Sequence, residues 1–310
     1  MTAAPRIDAH VHVFTKASSE FPREVSDQLP AEREEPVEKL IDTMAANGVS
    51  QAVLVQIGGQ QLEHHAYLQH CLKCHPGRFL GIGLIPRDEL RPQDHMDRLA
   101  VDGEGVIGFR LSALGGPADP LATMDVREFS TYPIWRRAAE KDYVLWLYPR
   151  AVDAHTVPFL IDAFPRVRVV FNHMLACPGK GKFSWDDKGR PRVEFDQLPP
   201  LTRYATMGLH CYERVFVHVS GQYAFSNQEW PYKDLTNWHE RLHVPKDRMQ
   251  GFGAARLMWA SDFPWITEDP GYDKMTGVVK ELLPEVTDTE LEDIMGGTAK
   301  RVLGFPDLAV

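Results

Sequence analysis

Eight short apolar runs, an amphipathic stretch after nearly every one, and no linker to divide the chain predict one α/β domain over residues 1–310, built as a (β/α)8 TIM barrel. The runs are rich in β-branched and aromatic residues and are bounded by Gly, Pro and polar turns, as short buried strands are. They read RIDAHVHVF (6–14), QAVLVQI (51–57), FLGIGLI (79–85), GVIGFRL (105–111), YVLWLYP (143–149), VRVVFNH (167–173), RVFVHVS (214–220) and RLMWASD (256–262). Most are separated by enough chain for a crossover helix, which makes neighbouring strands parallel. An open, doubly wound sheet is the alternative.

The first helix is predicted over PVEKLIDTMAANG (36–48), where Val37, Leu40, Ile41 and Met44 share a face and Gly48 supplies a left-handed stop. Similar patterns occupy 60–75, 90–102, 128–141, 153–164, 196–211 and 234–243, and residues 288–305 form the last helix, with Asp288 as its expected N-cap. Two long polar, Pro- and Gly-rich stretches, 14–35 and 174–195, each follow a strand. In a barrel such loops build the active-site face.

Charge and composition narrow the function. With 34 Lys and Arg against 43 Asp and Glu, the net charge of −9 argues against a nucleic-acid partner. No run approaches a membrane span and the N-terminus has no secretory pattern, so a cytoplasmic protein without a membrane partner is expected. The four cysteines, Cys71, Cys74, Cys177 and Cys211, suit a reducing compartment, and the lone CxxC at 71–74 reads as ordinary helix. A homo-oligomer is compatible with the sequence without being demanded by it.

Polar residues at strand C-termini are the ones to inspect, because the barrel interior beneath them is packed with apolar side chains. They are His10 and His12 on the first strand, Gln56 on the second, Arg110 on the fourth, Tyr148 on the fifth, His173 on the sixth, His218 and Ser220 on the seventh and Asp262 on the eighth. His10 and His12 are two residues apart, so they leave the strand on one face about 6.8 Å apart along the chain. With Asp262 on the adjoining strand they form a two-His, one-carboxylate set suited to one divalent metal, zinc first, or to metal-free chemistry. Arg110 offers a planar fork for a substrate carboxylate or sulfonate, so a small anionic organic substrate is expected; a salt bridge at the barrel mouth is the bland alternative. His218 and Ser220 share a face and are expected to contact substrate, with a buried, hydrogen-bonded role below the site equally open for His218. Arg150, Lys180 and Lys182 read mainly as solvated loop charges, His64, His65, His70 and His75 as surface, and Trp146 as core. Trp185 and Trp265 are expected to wall a substrate ring.

The strings DAHVH, FNHM and SDFPW, with AVLVQ, GFR, VHVSG and the closing IMGGTAKRVLGF, resemble the amidohydrolase superfamily over nearly the whole chain, in its branch of lactonases and acid decarboxylases. Within that branch the chain is most similar to the 2-pyrone-4,6-dicarboxylate lactonases and the related sugar-acid and sulfomuconolactone hydrolases. The resemblance implies a catalytic core of His10, His12, His173 and Asp262, with Asp262 deprotonating the hydrolytic water. Arg110 and Tyr148 are expected to orient the substrate. Tyr148 stands where decarboxylases and many metal-dependent members carry a histidine ligand, and the pyrone lactonases are similar to this chain in having tyrosine there and working without a metal. No lysine ends the fourth strand, which removes the bridging ligand of a dinuclear site. The expected function is opening of the lactone ring of a small carboxylated or sulfonated substrate. Metal-dependent decarboxylation of an aromatic or muconate-type acid is the alternative, and a binding protein on an inactivated barrel is a third.

Overall fold

The computed structural model describes residues 5–102, 105–177, 183–187, 189–193, 208–244 and 251–308. Ten strands follow in chain order: β1 (Arg6–Val11), β2 (Val49–Val55), β3 (Phe79–Leu84), β4 (Val106–Leu111), β5 (Val144–Leu147), β6 (Val169–Phe171), β7 (Phe183–Trp185), β8 (Pro191–Val193), β9 (Val215–Val219) and β10 (Leu257–Trp259). Eight of them form one parallel sheet in the order β1-β2-β3-β4-β5-β6-β9-β10. An open doubly wound sheet reverses its strand order part-way, and this one never does.

Closure comes where the end of β1 meets the segment just after β10. The Asp262 amide donates to the His10 carbonyl at 3.1 Å and the His12 amide to the Phe263 carbonyl at 2.7 Å. The first and last strands thus meet at the residues expected to carry the chemistry.

The strands read as continuous apolar runs because both of their faces are covered. Alternation sorts them into two layers. Val53, Val55, Ile82, Trp146, Val170 and Met258 belong to one buried cluster, while Ala52, Leu54, Leu145, Val217 and Trp259 pack in another with helix residues such as Leu40, Leu72, Leu99 and Trp135. Helices Val37–Ala46, Ala66–Cys74, Pro92–Asp102, Tyr132–Lys141 and Val157–Ala163 fill the first five crossovers, each lying within its expected stretch. Gly48 closes the first helix with φ +67°. Helices also form at Thr236–His243 and over 288–303.

Four readings of the sequence change. The last helix is capped by Thr287 rather than Asp288: the Thr287 hydroxyl accepts from the Glu290 amide and the Glu290 carboxylate accepts from the Thr287 amide, a reciprocal box that Asp288 is one residue too late to form. His65 is fully buried, its ring bonded to the Gln61 carbonyl and to the Leu84 amide. The loop after β6 carries an unexpected antiparallel hairpin, β7 with β8. Most of the helix expected at 196–211 lies outside the described residues, and its described end is a single turn at Leu209–Cys211. Cys71 and Cys74 are helix residues, as expected. Among the described residues no helix is long and apolar enough to cross a membrane.

Candidate active site

The site is assembled where β1 meets the segment after β10. Asp8 braces the junction: its carboxylate accepts from the Ser261 amide at 2.9 Å and from the Tyr272 hydroxyl at 2.7 Å. Burial pushes the Asp8 carboxyl up to about 6. The Ser261 hydroxyl accepts from the Phe263 amide at 3.0 Å, and between them Asp262 is held in the left-handed region at φ +64°. His173 opens a left-handed turn at φ +49° that continues through Met174 and Leu175. Such conformations cost of order 1–3 kcal/mol for residues other than glycine and concentrate where side-chain aim matters.

These backbones bring four groups together. His10 Nε2 lies 3.3 Å from His12 Nε2, and Asp262 Oδ1 lies 3.8 Å from the first and 3.7 Å from the second. His173 Nδ1 is 4.0 Å from Asp262 Oδ2 and is hydrogen-bonded to the Ser220 hydroxyl at 3.0 Å. The Tyr223 hydroxyl donates to Asp262 Oδ2 at 2.7 Å, whereas Oδ1, itself buried, has no hydrogen-bond partner among the described residues. Burial raises the Asp262 carboxyl to about 6, against the lowering effects of the Tyr223 hydroxyl and the Arg110 guanidinium. Burial, ahead of the neighbouring Arg110 charge, lowers His12 to about 3 and His173 well below its ordinary value, so both are neutral near pH 7.

Above Asp262 lies a cavity of about 140 Å³. One side is polar, from His12, Arg110, Tyr148, His173, Tyr223 and Asp262. The other is apolar, from Ile57, Val193, Phe225, Trp185 and Trp265. The Arg110 guanidinium lies 5.4 Å from the centre of the Tyr148 ring, a cation–π distance. The hairpin that delivers Trp185 and Val193 is fastened by Arg190, which donates to Asp186 at 2.9 Å and to Asp269 at 2.8 Å. The Trp185 and Trp265 rings meet edge to face at 5.2 Å.

His10, His173 and Asp262 each offer one ligand atom, all within 4.8 Å of one another, so distance alone would allow one metal ion. The donor set decides otherwise. A ligating imidazole gives the metal a lone pair on one nitrogen and keeps its proton on the other, where it is usually donated to an oxygen. His12 has that arrangement, since its Nδ1–H donates to the Val55 carbonyl at 2.8 Å. His10 has the reverse one: the Trp146 indole N–H donates to His10 Nδ1 at 3.1 Å, which leaves the proton on Nε2. As they stand, these residues do not fit an ion bound through His10 Nε2.

The sequence-derived set is therefore split by depth. Asp262, His12, His173, Arg110 and Tyr148 line the cavity, and His10 lies directly beneath Asp262. His218 and Ser220 are fully buried and are not among the residues that line the cavity. Ser220, just after β9, holds His173, and His218, near the end of β9, accepts from the Asn172 side chain at 3.3 Å. Trp185 and Trp265 wall the cavity as expected. Arg150 pairs with Asp153 at 2.9 Å away from the cavity, and Lys180 and Lys182 lie outside the described residues. Three contributors escape sequence reasoning. Asp8 was visible in the DAHVH string but its partners were not, Tyr223 sits on a short helix with no periodicity to mark it, and Trp146 reads as core.

The chain is 24% identical over 313 residues to L-fucono-1,5-lactonase of Burkholderia multivorans, covering 99% of this chain and 98% of that protein. A solved structure of a candidate 2-pyrone-4,6-dicarboxylic acid hydrolase from Pseudomonas putida superposes with a TM-score of 0.65 at 23% identity, over 98% of this chain and 99% of that one. Another so described, from Acinetobacter baumannii with citric acid bound, gives a TM-score of 0.68 at 19% identity, over 97% and 99%. Decarboxylases share the fold as well. The amidohydrolase family model matches residues 7–305, and this chain, a barrel closed by its own site residues, belongs to that family.

Proposed function

We propose that this amidohydrolase opens the lactone ring of a small carboxylated substrate by attack of a water activated by Asp262. The observation that carries the reading is the asymmetry of that carboxylate: Oδ2 is held by Tyr223, while Oδ1 is buried, unpartnered among the described residues and flanked by His10 and His12. A carboxyl near 6 is ionised at neutral pH yet basic enough to take a proton.

In this mechanism one water proton passes to Asp262 Oδ1 as the water oxygen bonds to the lactone carbonyl carbon. The oxyanion that develops is met by donors on the polar wall, Tyr148 and neutral His173. His12 plays no part in that step, because its one N–H is committed to Val55. Collapse of the adduct breaks the ring C–O bond, and the proton on Asp262 passes to the departing alkoxide.

The wall also supports a substrate class. A cavity of about 140 Å³ approaches the roughly 150 Å³ that accommodates benzene in an engineered protein, so a single six-membered ring fits. Arg110 suits a carboxylate on that ring and the tryptophan side suits its face. The relatives named as lactonase and as dicarboxylic acid hydrolase support the same class.

The test is a panel of carboxylated six-membered lactones, neutral lactones and aromatic acids, followed by acid release and by carbon dioxide release. Ring opening of carboxylated lactones, lost in Asp262→Asn, is the expected result. Release of carbon dioxide without ring opening would replace the proposal with the decarboxylase reading.

A further inference from the structure

Beneath the cavity, hydrogen bonds of fixed direction run across the barrel from β5 to β2. An indole nitrogen can only donate, so the contact of 3.1 Å from Trp146 Nε1 requires a lone pair on His10 Nδ1. A backbone carbonyl can only accept, so the contact of 2.8 Å between His12 Nδ1 and the Val55 carbonyl requires a proton on His12 Nδ1. Between these fixed ends the two Nε2 atoms lie 3.3 Å apart, and one neutral arrangement satisfies every contact: His10 carries its proton on Nε2 and directs it at the lone pair of His12 Nε2. Burial favours the neutral form of both rings. His10 has no exposed surface, and neither has Trp146, so no exchange with bulk solvent relaxes the constraint.

We propose that Trp146 is a positioning residue that locks the tautomer of His10, making His10 a hydrogen-bond donor and closing it as a metal ligand. For His10 to ligate through Nε2, its proton would have to move to Nδ1, where it would face the indole N–H at a distance set by two packed strands. The structure thus assigns the metal preference of this site to a side chain that is hydrogen-bonded to His10 and is not among the residues lining the cavity. The inference concerns the donor set and holds whichever ester the site opens.

Two measurements test it. In the wild-type protein, the side-chain ¹⁵N spectrum of labelled histidines, with His10 assigned by the loss of its signals in His10→Asn, should show a protonated Nε2 and an unprotonated Nδ1 for His10, with the opposite pattern for His12. Zinc titration by calorimetry, on chelator-treated protein, should then show Trp146→Phe binding about 10- to 100-fold more tightly than wild type, the range typical of changes in the groups behind metal ligands. The phenyl ring keeps most of the packing while removing the N–H, and near-ultraviolet circular dichroism checks that the fold is retained. A His10 proton on Nδ1 in the wild type overturns the proposal, as does unchanged or weaker zinc affinity in a folded Trp146→Phe protein. If that variant does not fold, the wild-type spectrum decides alone.

Discussion

The Tyr223 hydroxyl holds Asp262 by one oxygen only, at 2.7 Å from Oδ2, and so divides a single carboxylate into a fixed side and a reactive one. Asp262→Asn keeps the size of the side chain and removes the base. Turnover should fall by about 10²- to 10⁴-fold, the usual worth of a positioned acid–base group, with the thermal unfolding midpoint little changed. Activity remaining above a few per cent in a folded variant would exclude Asp262 as the base.

The acidic limb of kcat/KM should report the same carboxyl. Because its raised value is about 6, activity should climb as pH passes from 5 to 7 and then level off as the base form fills. Tyr223→Phe removes a hydrogen bond that favours the ionised form, so the limb should move to higher pH. A limb left in place would separate Tyr223 from the titration.

Arg110 is the cation among the described residues that line the cavity. Loss of a charge-assisted hydrogen bond costs about 1.5–3 kcal/mol, so Arg110→Gln should lower kcat/KM for a carboxylated lactone by about 10- to 100-fold. A neutral lactone of the same ring size should be affected much less. Equal losses on both substrates would give Arg110 to the oxyanion rather than to the carboxylate.

Asp8 makes a prediction about stability. Its folded value of about 6 lies above its ordinary 3.8, so the native state holds the proton more tightly than the unfolded chain does. The associated stability is fully present below about pH 3.8 and is lost as pH rises through 6, to an upper bound of about 3 kcal/mol. In Asp8→Asn that part of the pH slope should vanish in urea titrations taken between pH 4 and 7. An unchanged slope would place the raised value elsewhere.

The tryptophan wall depends on Arg190. Releasing the hairpin with Arg190→Ala should raise KM several-fold more than it lowers kcat, because Arg190 touches Asp186 and Asp269 and none of the reacting groups. A fall in kcat with KM unchanged would show that the hairpin acts on the chemistry and not on binding.

Much of this was legible in the chain. Strands buried on both faces must be apolar throughout, and the eight runs stood out for that reason. A packed barrel interior makes polar residues at strand ends conspicuous, which marked His10, His12, Arg110, Tyr148, His173 and Asp262 before any fold was known. Periodicity assigns a side chain to a face, but depth along that face depends on where each strand ends against its neighbours. That is why His218, on a correctly placed strand, and Ser220, just after it, are fully buried and absent from the cavity wall.

What the sequence by itself determined, then, was the order of elements and the kinds of groups gathered at one end of the barrel. The tertiary structure decided which partner each group has. Trp146 meets His10 across 136 positions of sequence, Tyr223 meets Asp262 across 39 and Tyr272 meets Asp8 across 264. Hydrogen bonds act over about 3 Å and distinguish one ring nitrogen or carboxylate oxygen from the other. Local pattern carries no information at that range, and only the closed barrel brings these atoms within it.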